Sequence, residues 1–411
     1  MKYSIIGFGG RGCMYSYYFK DNEAQLTAVC DIRKERLELA KGIHKLNDNQ
    51  LYDNLDEFFT GEQKSELCII ATQDDSHHQI ALRALRSGYD LMLEKPIAQT
   101  QEECQEIYDC AKENGRKVFI CHVLRYAPFF MTIKNELSSG KYGRVSTINL
   151  TENVAYWHQA HSYVRGNWRR CDESTPMIAA KCCHDLDILV WLIEKDCKGV
   201  SSMGSLSLFK KENQPDGASD RCVICKYKDT CAYSASKFYL EKYDNGERGW
   251  PCDVLTTNLN RENLVKALEE GPYGRCVFAC DNDVVDHQVV NMEFDDFITA
   301  HLTMTAFSKD SYREIHVHAE YGEIYGNMEE NVLHCNVFGG ESKIIDINAI
   351  MGEEGMAGHG GGDGRLVKDI VESYEGKSGV GLTTIEKSML SHKIAFAAEE
   401  SRLEKGKLIK L

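Results

Sequence analysis

Two rhythms of apolar and polar residues divide this 411-residue chain. Up to about residue 122, apolar runs at 2–6, 25–31, 67–72, 89–93 and 117–122 alternate with amphipathic stretches at 10–20, 33–45, 76–87 and 101–114. Ile80, Leu82 and Leu85, and then Cys104, Ile107, Tyr108 and Ala111, recur at helical spacing. Short apolar strands separated by helices predict an α/β unit with a parallel, doubly wound sheet over 1–122.

After 122 the rhythm changes. A helix near 127–139 leads into a long strand, 143–155, and a strongly apolar helix covers about 176–194. Residues 205–275 are polar, irregular and cysteine-bearing, with helices predicted at 232–241 and 260–269. Period-two alternation returns at 284–294, 299–307, 313–319 and 332–338, with turn signals at Lys309-Asp310, Tyr321-Gly322 and Gly339-Gly340. The expectation for 123–411 is a second α/β domain around an open, mostly antiparallel sheet. It ends in a helix at 381–402, with Ile385, Met389, Ile394, Ala395 and Ala398 on one side.

The first turn of the chain carries the most chemistry. Gly7-Phe8-Gly9-Gly10-Arg11-Gly12 follows the apolar run Tyr3–Ile6, and Asp31 closes the next run. Gly7 allows the tight turn, Gly9 lets a pyrophosphate approach the backbone, and Gly12 lets the helix pack on the sheet. The helix start, with Gly10 and Arg11, offers N–H groups and a positive dipole end to phosphates. Asp31 can accept hydrogen bonds from both ribose hydroxyls and would repel a 2′-phosphate. NAD is therefore expected over NADP, and Arg33 weakens that preference without reversing it. An ordinary glycine-rich strand–helix turn is the plain alternative.

A net charge of −15 with scattered basic residues argues against nucleic acid or an anionic membrane as partner. No run of apolar residues is long enough to span a bilayer, and the N-terminus reads as a strand rather than an export signal. A cytoplasmic chain with reduced thiols is expected. Most of the 17 cysteines sit singly in apolar runs, as Cys30, Cys68, Cys121 and Cys335 do. The exception is Cys222-x-x-Cys225-x5-Cys231, with Cys252, Cys276 and Cys280 downstream. Cys222, Cys225 and Cys231 with Cys276 are candidates for a structural zinc site, with plain thiols or a disulfide as the alternative.

Three further groups carry candidate chemistry. Ala71–His78 follows the third apolar run, at the sheet edge where such folds bind ligands, so Thr72, Asp74 and His77 are expected near the nicotinamide half of the cofactor. Glu94-Lys95-Pro96 ends the fourth run; a lysine there suits polarising or relaying the proton of a substrate hydroxyl, unless it only pairs with Glu94. Lys181, His184 and Asp185 would form a polar patch on one face of the apolar helix at 176–194. Such a patch serves acid–base work or a structural ion-pair network.

The glycine turn, Glu94-Lys95-Pro96 and the histidine-bearing helix together resemble the glucose–fructose oxidoreductase, inositol dehydrogenase and rhizopine-catabolism (Gfo/Idh/MocA) family. The resemblance covers essentially the whole chain. It implies a Rossmann NAD-binding domain over 1–122 and a substrate-binding and oligomerisation domain over 123–411, whose final helix packs back on the first. It also implies an NAD(P)-dependent enzyme acting on a carbohydrate or cyclitol, associated as a homodimer or homotetramer. Lys95 and His184 fall on the family's lysine and histidine that contact the reacting hydroxyl. Leu124-Arg125-Tyr126 matches the start of the family's second domain. Many members carry an aspartate four residues before the histidine; here that position is Ala180, and Lys181 beside it is expected to take over as proton handler or substrate ligand.

Trp157, Arg165, Trp168 and Arg169, with His158 and His161 among them, are further substrate-facing candidates, aromatic faces and arginine forks being suited to a sugar or its carboxylate. Gly358-His359-Gly360-Gly361-Gly362-Asp363 resembles a loop of the NAD-dependent glycosidases in the wider family, in which a histidine approaches the sugar. Such enzymes oxidise a sugar transiently, eliminate the aglycone and return the hydride, which is the alternative to a dehydrogenase.

Overall fold

Leu67–Ile70 is buried along its whole length, as befits a strand covered by helices on both faces. It is the fourth strand, β4, of a parallel sheet. The others are β1 (Lys2–Ile6), β2 (Gln25–Cys30), β3 (Leu51–Tyr52), β5 (Asp90–Leu93) and β6 (Val118–Ile120). Their order is β3-β2-β1-β4-β5-β6. Helices Gly10–Asp21, Lys34–His44, His77–Arg86 and Gln101–Glu113 make the crossovers. The order reverses between β1 and β4, so the turns at Gly7 and Ala71 sit side by side at the switch point. This computed structural model describes residues 1–352, 358–377 and 383–411.

The second sheet has nine strands: β7 (Val145–Ala155), β8 (Cys197–Ser205), β9 (His287–Phe294), β10 (Thr299–Ser308), β11 (Tyr312–Ala319), β12 (Gly322–Asn327), β13 (Val332–Val337), β14 (Ser342–Asp346) and β15 (Ile409–Lys410). The order is β14-β13-β12-β11-β7-β10-β9-β8-β15, antiparallel throughout except for the central β7–β10 pair. Alternation decides its faces. Ile148, Leu150, Leu302, Met304, Ile315 and Val317 point into one core shared with Phe129, Phe130, Ile188, Leu189 and Ile394 from the helices. The opposite face is open.

The apolar helix expected over 176–194 is two pieces, Met177–Ala180 and Cys183–Ile193, broken at Lys181 (φ −109°, ψ −53°). In an unbroken helix the Ala180 carbonyl would accept from the amide of residue 184. Instead it accepts Lys95 Nζ from the first domain at 2.6 Å.

Two C-terminal helices touch the nucleotide-binding half. Helix Gly362–Tyr374 packs on helix Gly10–Asp21, burying Leu366, Val367 and Ile370 with Tyr15 and Phe19. The final helix is Ile385–Leu403; the start of its expected range, 381–382, lies outside the described residues. It is preceded by Thr383, whose carbonyl accepts from the Ile120 amide of β6 at 2.8 Å, and it then crosses to β8. Among the described residues no helix is long and apolar enough to cross a membrane.

Arg125 and Tyr126 lie at this seam. Arg125 makes a bidentate pair with Asp187, both N···O distances being 2.6 Å, and donates to the Lys387 carbonyl at 3.0 Å. Both partners are buried. Tyr126 Oη donates to Asp369 at 2.7 Å. These contacts tie the start of the second domain to its own helices. Arg125→Met, which strands a buried carboxylate, should cost about 3–5 kcal/mol. The measurement is the urea midpoint, and Asp187→Leu added to the same chain should recover much of the loss.

Candidate functional site

The glycine turn is shaped for a phosphate. Gly7 takes φ +91°, and a Cβ there would sit 2.6 Å from the Ala71 carbonyl oxygen. A Cβ on Gly12 would lie 2.1 Å from the Gly7 oxygen, so helix and strand need hydrogen at that position. Around Gly9 and Gly10, by contrast, an added Cβ would meet nothing within 4 Å. The helix begins there with no side-chain cap and no acidic residue in its first turn. Its amides and dipole are thus presented to an anion.

Asp31 is buried and braces the turn: its oxygens accept the Phe8 amide at 2.8 Å and the Arg33 amide at 2.9 Å. The Arg33 guanidinium lies 3.8 Å from Asp31 and is half exposed. Thr72 accepts from Ser76 Oγ at 2.7 Å at the neighbouring strand end.

Other first-domain candidates are tied to protein partners. The Arg11 guanidinium pairs with Glu94 at 2.7 Å and Asp363 at 2.9 Å and lies over the Tyr15 ring. Glu94 is accordingly held below the usual carboxylate range: burial alone would raise it, but Arg11 and Lys95 outweigh that. Asp74 accepts Ser174 Oγ at 2.7 Å, Thr175 Oγ1 at 3.2 Å and Trp168 Nε1 at 3.2 Å. It latches the domains together. His77 is buried with Nδ1 2.8 Å from the Pro96 carbonyl, and so positions the segment after Lys95. Arg11, Glu94, Asp74 and His77, expected from the sequence near the cofactor, thus each have protein partners.

Across from the turn, Lys95 reaches the Ala180 carbonyl, and His184 lies behind it. The His184 ring is 5.7 Å from His122 and 6.0 Å from His359. Burial, then the charge of Lys95, holds His184 far below the ordinary histidine range, so its imidazole is neutral. Its Nδ1 has no hydrogen-bond partner within the protein. His122 is depressed in the same way by burial and Arg125, and His392 falls to about 3. His359 Nδ1 lies 2.9 Å from Asp363 Oδ2.

Lys181 belongs to a buried charge network. Its Nζ is 3.1 Å from Glu152, which is 2.9 Å from Arg313, which in turn holds Asp185 at 2.7 Å. Arg313 and Lys181 keep Glu152 below the usual carboxylate range against its burial, whereas burial lifts Asp185 to about 6. Glu152 and Arg313 were missed in the sequence, though both fall on inward positions of alternating strands, in line with Leu150 and Ile315. His122 and His392 carried no such signal.

The loop after β7 divides. His158 is depressed by burial and by Lys181 and Lys95, which places it beside the cluster. Trp157 stacks on Phe238 at 5.4 Å next to it. Arg165 turns away: it donates to the carbonyls of Arg275 and Tyr233, both at 2.7 Å, and pins the cysteine-bearing insertion. Arg169 pairs with Asp281 and Glu173. His161 is bound to Tyr239 at 2.6 Å and stacked on Tyr273. Both arginine forks thus have protein partners.

Cys222, Cys225, Cys231 and Cys276 line one cavity of the insertion, with Tyr233 and Phe278. Among the described residues their sulfurs do not converge on a common ligand point, and all 17 cysteines are free thiols. The donor set does not fit the expected zinc centre. Gln214 and Arg165 instead stand 3.7 Å from the sulfurs of Cys276 and Cys222.

A bare glycine turn at the switch point of a parallel sheet, followed by a second, mostly antiparallel sheet, defines a two-domain protein with a dinucleotide-binding fold. Residues 1–122 match the NAD-binding Rossmann fold of the Gfo/Idh/MocA oxidoreductase family, and residues 134–411 match its C-terminal α/β domain. The chain belongs to that family. It is 23% identical to the oxidoreductase YteT of Bacillus subtilis over 75% of this chain and 72% of that one. It is 26% identical to an inositol 2-dehydrogenase of Salmonella typhimurium over 49% of this chain and 56% of that one, and so spans little more than half of that relative. In fold it is similar to an oxidoreductase from Agrobacterium radiobacter solved with NAD+, L-tartaric acid and magnesium, with a TM-score of 0.70 at 14% identity, covering 100% of this chain and 98% of that one. A WlbA dehydrogenase from Chromobacterium violaceum, solved with NADH and UDP-GlcNAcA, gives 0.68 at 13% identity, covering 100% and 96%.

Gly9 and Gly12 should separate folding from binding. Gly9→Ala, with open space around its Cβ, should fold normally yet weaken NAD+ binding by roughly tenfold or more. Gly12→Ala should lower the yield of folded protein. Calorimetric NAD+ titration and circular dichroism check the pair; equal NAD+ affinity in Gly9→Ala would remove the turn from the cofactor site.

Proposed function

We propose that this protein is an NAD-dependent dehydrogenase acting on a secondary alcohol of a sugar, cyclitol or sugar derivative. The observation that carries the reading is the meeting of Lys95 and neutral His184 at the seam facing the glycine turn. NAD bound at the turn supplies the hydride acceptor. The helix start at Gly9–Gly12 takes its pyrophosphate, and Asp31 takes the ribose hydroxyls with one lone pair left on each oxygen. Lys95, a fixed cation, donates to the substrate oxygen and stabilises the negative charge that builds there. His184, held neutral, accepts the hydroxyl proton as the carbinol is oxidised. His359 and His158 flank the cluster, and Trp157 offers an apolar face to the sugar ring.

Lys181 is the departure from the family pattern. Its ion pair with Glu152 favours holding a substrate hydroxyl over relaying a proton. Association as a homodimer or homotetramer completes the reading.

The Asp363-bound His359 beside His184 also supports a second reading, a glycoside hydrolase or lyase that oxidises its sugar transiently and keeps its NAD. A panel of sugars, glycosides, uronic acids and inositols distinguishes them: the dehydrogenase accumulates NADH, whereas the second enzyme releases aglycone with none.

On the active substrate, Lys95→Met and His184→Gln should each slow NADH formation by about 10²–10⁴-fold. NAD+ affinity should stay within a few-fold. Because its neutral form is the base and its proton affinity is depressed, activity should persist as pH falls through 6.5, the ordinary histidine value, and fail only well below it. A half-maximum at that ordinary value would assign the base elsewhere. Lys181→Met should raise KM more than it lowers kcat; unchanged values of both would dismiss a role for Lys181.

A further inference from the structure

The open face of the second sheet carries a histidine pair that the proposed chemistry does not use. On β11, Ile315, Val317 and Ala319 turn to the core, which leaves His316 and His318 facing outward. The antiparallel register sets His318 opposite Glu323 and His316 opposite Tyr325 on β12. The two imidazole rings lie 3.8 Å apart, centre to centre. His316 Nε2 is 2.9 Å from Glu323 Oε2, and one donor atom from each of His316, His318 and Glu323 lies within 4.8 Å of the other two.

An ordinary ion pair would account for His316 and Glu323 alone. It leaves His318 pressed against His316, where two protonated rings would repel. A metal ion uses both rings in their neutral form. Two imidazoles and one carboxylate are the protein donors of open zinc sites, and bonds of roughly 2.0–2.2 Å put tetrahedral ligand atoms roughly 3.3 Å apart. The His316–Glu323 separation needs only a slight opening to admit an ion. Calcium and magnesium, which take oxygen donors, fit poorly. Asn336 on β13 supports the carboxylate from behind: its Nδ2 donates to Glu323 Oε1 at 3.0 Å and leaves Oε2 toward the histidines.

We propose that His316, His318 and Glu323 bind one divalent transition-metal ion of the zinc class, with water in the remaining position, and so clamp β11 to β12 on the outer face. The site is separate from the nucleotide turn and from the cysteine-lined cavity.

The test is a Co2+ titration of untagged, chelator-treated full-length protein, followed by calorimetry and visible ligand-field absorption. One Co2+ per chain is expected at this site, and it should survive in the Cys222→Ser/Cys225→Ser variant. His318→Gln and Glu323→Gln should each weaken binding by more than about tenfold, and Asn336→Ala by about tenfold. Circular dichroism and NAD+ affinity should be unchanged in all three. Absence of binding, loss of binding in the cysteine variant, or binding unchanged in both ligand variants would each overturn the proposal.

Discussion

One guanidinium holds together the pieces that chemistry at the domain seam requires. Arg11 stands in the first turn of the phosphate-facing helix, Glu94 directly precedes Lys95, and Asp363 opens the C-terminal helix Gly362–Tyr374. Glu94 and Asp363 are carboxylates largely removed from water, and such groups stay ionised only with a cation in contact. Arg11 supplies it, and both are held below the usual carboxylate range. Each uses its remaining capacity for the site. Glu94 Oε2 accepts the Lys95 amide at 3.1 Å, which sets where the lysine leaves the sheet. Asp363 grips His359 and fixes that ring beside His184. The glycine turn, the lysine and the flanking histidine are therefore one rigid unit rather than three neighbours.

The first half of the fold was legible because its physics is local. Parallel strands buried on both faces read as unbroken apolar runs, and the crossover helices show clear amphipathic spacing. β3, with two residues, is too short to leave a pattern. In the second sheet the missed strands are those where glycine and serine dilute the alternation. Residues 322–327 read as a turn because Gly322 begins them, yet that glycine serves close pairing: a Cβ there would sit 2.3 Å from the Asn336 carbonyl oxygen. The break at Lys181 was invisible because its cause lies elsewhere in the chain, in Lys95 and Glu152.

The same distinction runs through the candidate site. Gly7 and Gly12 were readable because their residue type is tied to a backbone turn. The arginines were not. Arg165 reads as a ligand-binding fork, and its guanidinium meets the carbonyls of Arg275 and Tyr233. A guanidinium is a suitable group for either task. The choice depends on partners that only the fold reveals: Asp187 lies 62 positions from Arg125, and Asp363 lies 352 from Arg11.

The replacement of the family's aspartate by Ala180 then acquires an electrostatic meaning. A carboxylate at that position would neutralise Lys95; a backbone carbonyl supplies only a dipole. Around that lysine, His122, His184 and His392 are all depressed by burial. The lysine's charge is itself among the causes that depress His184. On the proposed reading, the two effects act on the same hydroxyl. The lysine lowers the cost of forming the alkoxide, while the weakly basic histidine needs that help to take its proton. The carboxylate has not left the site altogether: Glu152 stands beside Lys181, one residue on, and compensates a different cation.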